Sequence, residues 1–160
     1  MSTNLVMRAL PEDSELMRLA LANTQDAYDT IYEFLFDIQY WRHDAAVLRF
    51  RQACPELLDL RLDLGKWKSR SIEDVLLRMT PSPVTPHHRE LASLIQRGDV
   101  VACNGHAWLV PASRVKEVER FLEFLDPALD GDDRGVLDPL TAFYRRVTAV
   151  PGLAVIAMEH

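Results

Sequence analysis

The chain has 160 residues, of which 48% are hydrophobic and 26% charged, and its formal net charge is −6. That length supports a single domain over 1–160, with enough apolar content to build a core and escape disorder. Net acidity without a cationic face argues against nucleic acid as a partner, and the apolar runs are too short to span a membrane.

The charge is concentrated. Residues 11–40 hold seven acids, Glu12, Asp13, Glu15, Asp26, Asp29, Glu33 and Asp37, against the single base Arg18. The other 130 residues sum to zero. Asn4 to Ala9 reads as a short strand. Pro11 then suits the first turn of a helix whose acids at 12, 13 and 15 favour its positive end. A second helix is predicted from about Thr24 to Tyr40. Ala27, Tyr28, Ile31, Leu35 and Ile38 give it an apolar side, widened by Tyr32, Phe34 and Phe36. Asp26, Asp29, Glu33 and Asp37 fall at helical spacing and form one acidic stripe. Like charges at this spacing cost an isolated helix about 0.2–0.5 kcal/mol per pair. Such a stripe is either neutralised from within or offered to something basic.

The sign of the charge then reverses. From Trp41 to Arg70 seven bases, among them Arg42, Arg49 and Arg51, face four acids. These arginines are an internal partner for the stripe. Ala45, Ala46, Leu48 and Phe50 suggest a third helix stopped by Pro55. Leu57 to Leu64 is leucine-rich and broken by Gly65. Ser71-Ile-Glu-Asp74 resembles a capping box, with Leu76, Leu77 and Met79 behind it. A proline-stiffened stretch leads to Thr85-Pro86 and a helix ending at Gly98. Two apolar runs flank Asn104-Gly105, the preferred pair for a type I′ hairpin turn. A helix with Val115, Val118, Phe121, Leu122 and Leu125 inward follows. Residues 126–135 read as a polar loop, and Asp138-Pro139 as the start of a last helix. Pro151-Gly152 turns the chain into a nearly all-apolar strand, Leu153 to Met158, expected inside the sheet.

The expected fold is therefore α+β: a mostly helical single domain with a small, mainly antiparallel sheet. Its strands are placed at about 4–9, 99–103, 106–110 and 153–158.

No motif for phosphate cradling, nucleophile activation or zinc ligation is present. Asp130, Asp132 and Asp133 lack the ligand spacing of a calcium loop. His87 and His88 point about 100° apart on a helix and make poor joint ligands. His43 and His106 are isolated in sequence. Cys54 and Cys103 read as free, buried thiols of a reducing compartment. The start of the chain has no basic region followed by an apolar one, so no secretory signal is expected. No catalytic residue, metal or cofactor is assigned. Trp41, Trp67 and Trp108 read as packing residues. Trp67, set between Lys66 and Lys68, is the one available to a partner.

Several segments carry a resemblance. They are Asn4-Leu-Val-Met-Arg-Ala-Leu-Pro-Glu12, Asp63-Leu-Gly-Lys-Trp67, His106-Ala-Trp-Leu-Val-Pro-Ala-Ser-Arg-Val-Lys-Glu-Val118, Leu140-Thr-Ala-Phe-Tyr-Arg-Arg146 and Leu153-Ala-Val-Ile-Ala157. Together, over about half the chain, they resemble the YfbM-like family of small bacterial proteins of unknown function. The resemblance implies an α+β fold and a cytoplasmic bacterial protein, and it carries no catalytic residue with it.

These features point to a non-catalytic, protein-binding domain with an acidic face, of the immunity type that neutralises a basic toxin. Its partner-binding residues would be Asp26, Asp29, Glu33, Asp37 and Trp67. One rival is a small enzyme whose site assembles from dispersed His, Cys and carboxylate side chains. Another is a homodimer in which the acidic helix meets the Arg42–Arg51 helix of a second copy.

Overall fold

A computed structural model describes residues 4–22, 24–36, 44–58, 61–66, 70–79, 85–98 and 100–159. Its strands are β1 (Asn4–Pro11), β2 (Arg61–Lys66), β3 (Val100–Ala102), β4 (Ala107–Val110) and β5 (Leu153–Glu159). They form one sheet in the order β2-β1-β5-β4-β3, and every neighbouring pair is antiparallel. The α+β expectation holds, and the four expected strands lie where the sequence places them. β2 is a fifth, at an edge. It forms where Leu62 and Leu64 alternate with Arg61 and Asp63.

Around the sheet stand α1 (Glu15–Leu21), α2 (Gln25–Phe36), α3 (Ala45–Ala53), α4 (Pro55–Leu58), α5 (Arg70–Arg78), α6 (Pro86–Gln96), α7 (Val115–Leu125) and α8 (Gly131–Thr148). The strand period of two divides the apolar residues between two faces. Leu5, Met7 and Ala9 of β1, Trp108 and Val110 of β4, and Leu153, Val155 and Ala157 of β5 pack with α5, α6, α7 and α8. Val6 and Leu10, Ala107 and Leu109, and Ala154, Ile156 and Met158 pack with α1, α2 and α3. Both faces are covered, and so β5, the central strand, is apolar at successive positions.

Helix starts are set by side chains. Ser14, not Pro11, opens α1. Pro11 ends β1, and the Ser14 hydroxyl accepts from Met17 N–H at 3.1 Å. Asp44 is buried between two helix starts. Its carboxylate accepts from Ala46 and Val47 N–H of α3, at 2.9 and 3.2 Å, and from Leu16 N–H of α1 at 2.9 Å. Each bond satisfies an N–H that the first helical turn leaves without a partner. α5 begins at Arg70, so Ser71 lies within its first turn and is not the cap.

The polar loop expected at 126–135 is largely helix. Asp130 caps α8 by accepting from Asp133 N–H at 3.0 Å, and Asp133 reciprocates to Asp130 N–H at 3.4 Å. Arg78 of α5 bonds Asp133 and lies 3.8 Å from Asp130. The bond from Asp133 N–H, together with Arg78, holds the Asp130 carboxyl below its ordinary pKa. Two of the three aspartates, Asp130 and Asp133, thus form a helix cap. Pro139 sits inside α8 and does not start it.

The β3–β4 hairpin turns at Asn104-Gly105 as expected, but strand pairing ends where Ala102 meets Ala107, so the connection holds four residues, Cys103 to His106, not two. Asn104 has φ 57 and ψ 35, Gly105 has φ 87, and His106 N–H donates to Cys103 C=O at 3.2 Å. That is type I′ geometry.

Candidate functional site

α2 positions the acidic stripe. Thr24 accepts from Ala27 N–H at 3.2 Å at its start, and Asp26 in the first turn complements the helix dipole. Ala27, Ile31, Phe34 and Leu35 are buried against the sheet. Asp26, Asp29 and Glu33 lie on the outward side and are exposed. Asp29 accepts from Gln25 Nε2 at 3.3 Å. Among the described residues no Arg or Lys comes within ion-pair distance of Asp26, Asp29 or Glu33. Arg49 pairs instead with Asp13 at 3.5 Å. Asp37, Trp67, Arg42 and His43 lie outside the described residues.

Beside the stripe runs an aromatic row. Tyr28, Tyr32 and Phe36 recur every four residues, are half-buried, and stack along the helix with centroids 6.0 and 4.5 Å apart. The His106 ring, from the β3–β4 turn, lies 4.6 Å from that of Tyr28. At the other end Arg61 of β2 sits over Phe36 at 5.5 Å. The face therefore offers carboxylates next to aromatic surface. The acids were legible from their spacing. The row was legible only as a widening of the apolar arc.

Among the described residues the dispersed histidines are engaged separately. His88 is a capping residue: Thr85 N–H donates to its Nδ1 at 3.2 Å, and its ring stacks on Phe124 at 4.2 Å. His87 lies 3.6 Å from Glu90 and 3.7 Å from Glu117. Both carboxylates also pair with Arg114, at 2.8 and 3.2 Å. Arg114 holds Glu90 below its ordinary pKa. Among the described residues no three His, Cys, Asp or Glu side chains are placed to hold a metal ion. Also among them, no helix is long and apolar enough to cross a membrane.

Cys103 is fully buried and has φ 52, unusual for a residue with a Cβ. Burial pushes its thiol up to about 11. The folded state therefore keeps a proton that the unfolded chain releases near pH 9. Stability from this group is full below that pH and falls as pH rises through 9 to 11. Cys103→Ala is expected to flatten the decline of the unfolding midpoint over that range. In thiol titration of the native protein, half-buried Cys54 is expected to react before Cys103.

Comparison with family models, with curated proteins and with solved structures finds no match for the chain.

Proposed function

We propose that the protein is a non-catalytic binding protein that docks a basic protein through the outward face of α2. It would act in the bacterial cytoplasm as a YfbM-like, immunity-type protein that covers a toxin. One observation carries this reading. Asp26, Asp29 and Glu33 are exposed with no cationic neighbour among the described residues, beside the half-buried row Tyr28, Tyr32 and Phe36. Mutual repulsion within the stripe disfavours the free helix, and a basic partner relieves it. The carboxylates accelerate encounter, and the aromatic row supplies apolar area that resists dissociation.

The test is charge reversal. Asp26→Lys/Asp29→Lys/Glu33→Lys is expected to abolish capture of a partner from host lysate at low salt while moving the melting temperature by no more than about 2 °C. Unchanged capture would refute the reading. So would a large loss of stability, which would make the stripe part of the fold's own electrostatics.

A further inference from the structure

On the other face of the sheet, α5 and α6 stand apart as the walls of a cleft. Its outer part, about 520 Å³, is lined by Leu76 and Leu77 of α5, Arg89, Ala92 and Ser93 of α6, and the pair Glu73 and Arg97. Its inner part, about 350 Å³, runs past that same pair to Trp108 and Glu159 at the sheet. Volumes of this order accept small molecules.

The wall chemistry is sorted. Leu76, Leu77 and Ala92 make an apolar strip, and Leu77, 69% exposed, is the most exposed large hydrophobic residue described. Where the two parts meet, Glu73 from one wall and Arg97 from the other face the same space. They form no ion pair with each other, and neither pairs with any other described residue. On this side of the sheet Arg78, Arg114, Arg134 and Arg145 each pair with a carboxylate, whereas Arg97, like Arg89 in the same cleft, has none among the described residues. Opposite charges sharing a cleft without touching leave room for a group that answers both. Trp108 lines the inner end. Trp108 is only 8% exposed, and its indole N–H has no acceptor among the described residues. A buried donor in that state costs about 1–3 kcal/mol until an acceptor or a water reaches it.

We propose that this cleft binds an α-amino acid with a large apolar side chain. Arg97 takes the carboxylate and Glu73 takes the ammonium. The side chain lies along Leu76, Leu77 and Ala92. The site is independent of the acidic face on α2.

The probes are L-phenylalanine, 3-phenylpropionate, which lacks the ammonium, and 2-phenylethylamine, which lacks the carboxylate. Binding is read by calorimetry and by the Trp108 indole resonance, assigned with Trp108→Phe. L-Phenylalanine is expected to bind saturably below about 10 mM and to shift that resonance, and each isostere is expected to bind at least about tenfold more weakly. Glu73→Gln and Arg97→Gln alter exposed side chains, so both should fold, and each should cost about tenfold. Absence of saturable binding overturns the proposal. Equal affinity for either isostere, or indifference to both substitutions, overturns it as well.

Discussion

Gly98→Ala is expected to lower the stability of the protein by about 2–5 kcal/mol, through two additive strains. Gly98 follows α6 with φ +62, a left-handed conformation that an L side chain adopts only at a cost of about 1–2 kcal/mol. It also lies against Trp108. A Cβ at this position would sit 2.6 Å from Trp108 Cδ1, 2.7 Å from its Cβ and 2.9 Å from its Cγ. Those are the root atoms of the side chain, anchored to β4, which pairs with both β3 and β5. They have nowhere to move unless the strand moves, so the overpacking adds about 1–3 kcal/mol. Gly105 is the control. It has φ +87, but a Cβ there would meet nothing within 4 Å. Gly105→Ala should lose only the conformational part, about 1 kcal/mol. Chemical denaturation of both variants checks this. Equal losses would show that contact with Trp108 contributes nothing.

Arg8→Ala is the second large effect, expected at about 3–5 kcal/mol. Arg8 is 1% exposed on the α1–α3 side of β1, the largest of the fully buried side chains described. Its Nε–H donates to Leu35 C=O of α2 at 3.2 Å, and its guanidinium lies 5.6 Å from the Phe34 ring centroid. Truncation opens a cavity and strips partners from buried polar groups at once. Arg8→Met removes the charge and keeps much of the volume. It should therefore recover a measurable part of the alanine loss. Arg8→Lys keeps the charge but not the planar fork, and should not match the wild type. Unfolding curves that place alanine within 1 kcal/mol of wild type would sink this account.

Arg8 also shows how much was legible beforehand. Alternation along β1 puts residues 6, 8 and 10 on one face, and Val6 and Leu10 mark that face as inward. Burial of Arg8 follows from its position, but its acceptor on α2 does not, since it lies 27 residues away. The strands near 4–9, 99–110 and 153–158 were readable because apolar runs and Asn104-Gly105 are local signals. β2 carried a period-two leucine signal, blurred by Leu57, Leu58 and Gly65 nearby. The start of α8 was misplaced because Gly131, Gly135 and four aspartates favour a loop locally. The helix extends there because Asp130 and Asp133 cap each other and Arg78, from a distant helix, binds both. The acidic stripe was visible as spacing. The cleft between α5 and α6 was not, because it exists only where the sheet holds two helices apart that are distinct in sequence.

The middle of the sheet has a consequence for how the chain folds. β1 and β5 pair along their whole length, from Leu5 with Glu159 to Pro11 with Leu153, and they enclose nearly every other described element between them. Such a seam has a high contact order, which slows folding toward milliseconds or longer. During synthesis β1 leaves the ribosome with both faces apolar, long before β5 exists. β2 is the earliest partner available to it, in the pairing that joins Val6 with Asp63 and Arg8 with Arg61. β1 can therefore pair with β2 before β5 exists, and β5 can join the sheet only afterwards. Until then β1 holds an open edge, the kind of surface on which nascent chains aggregate.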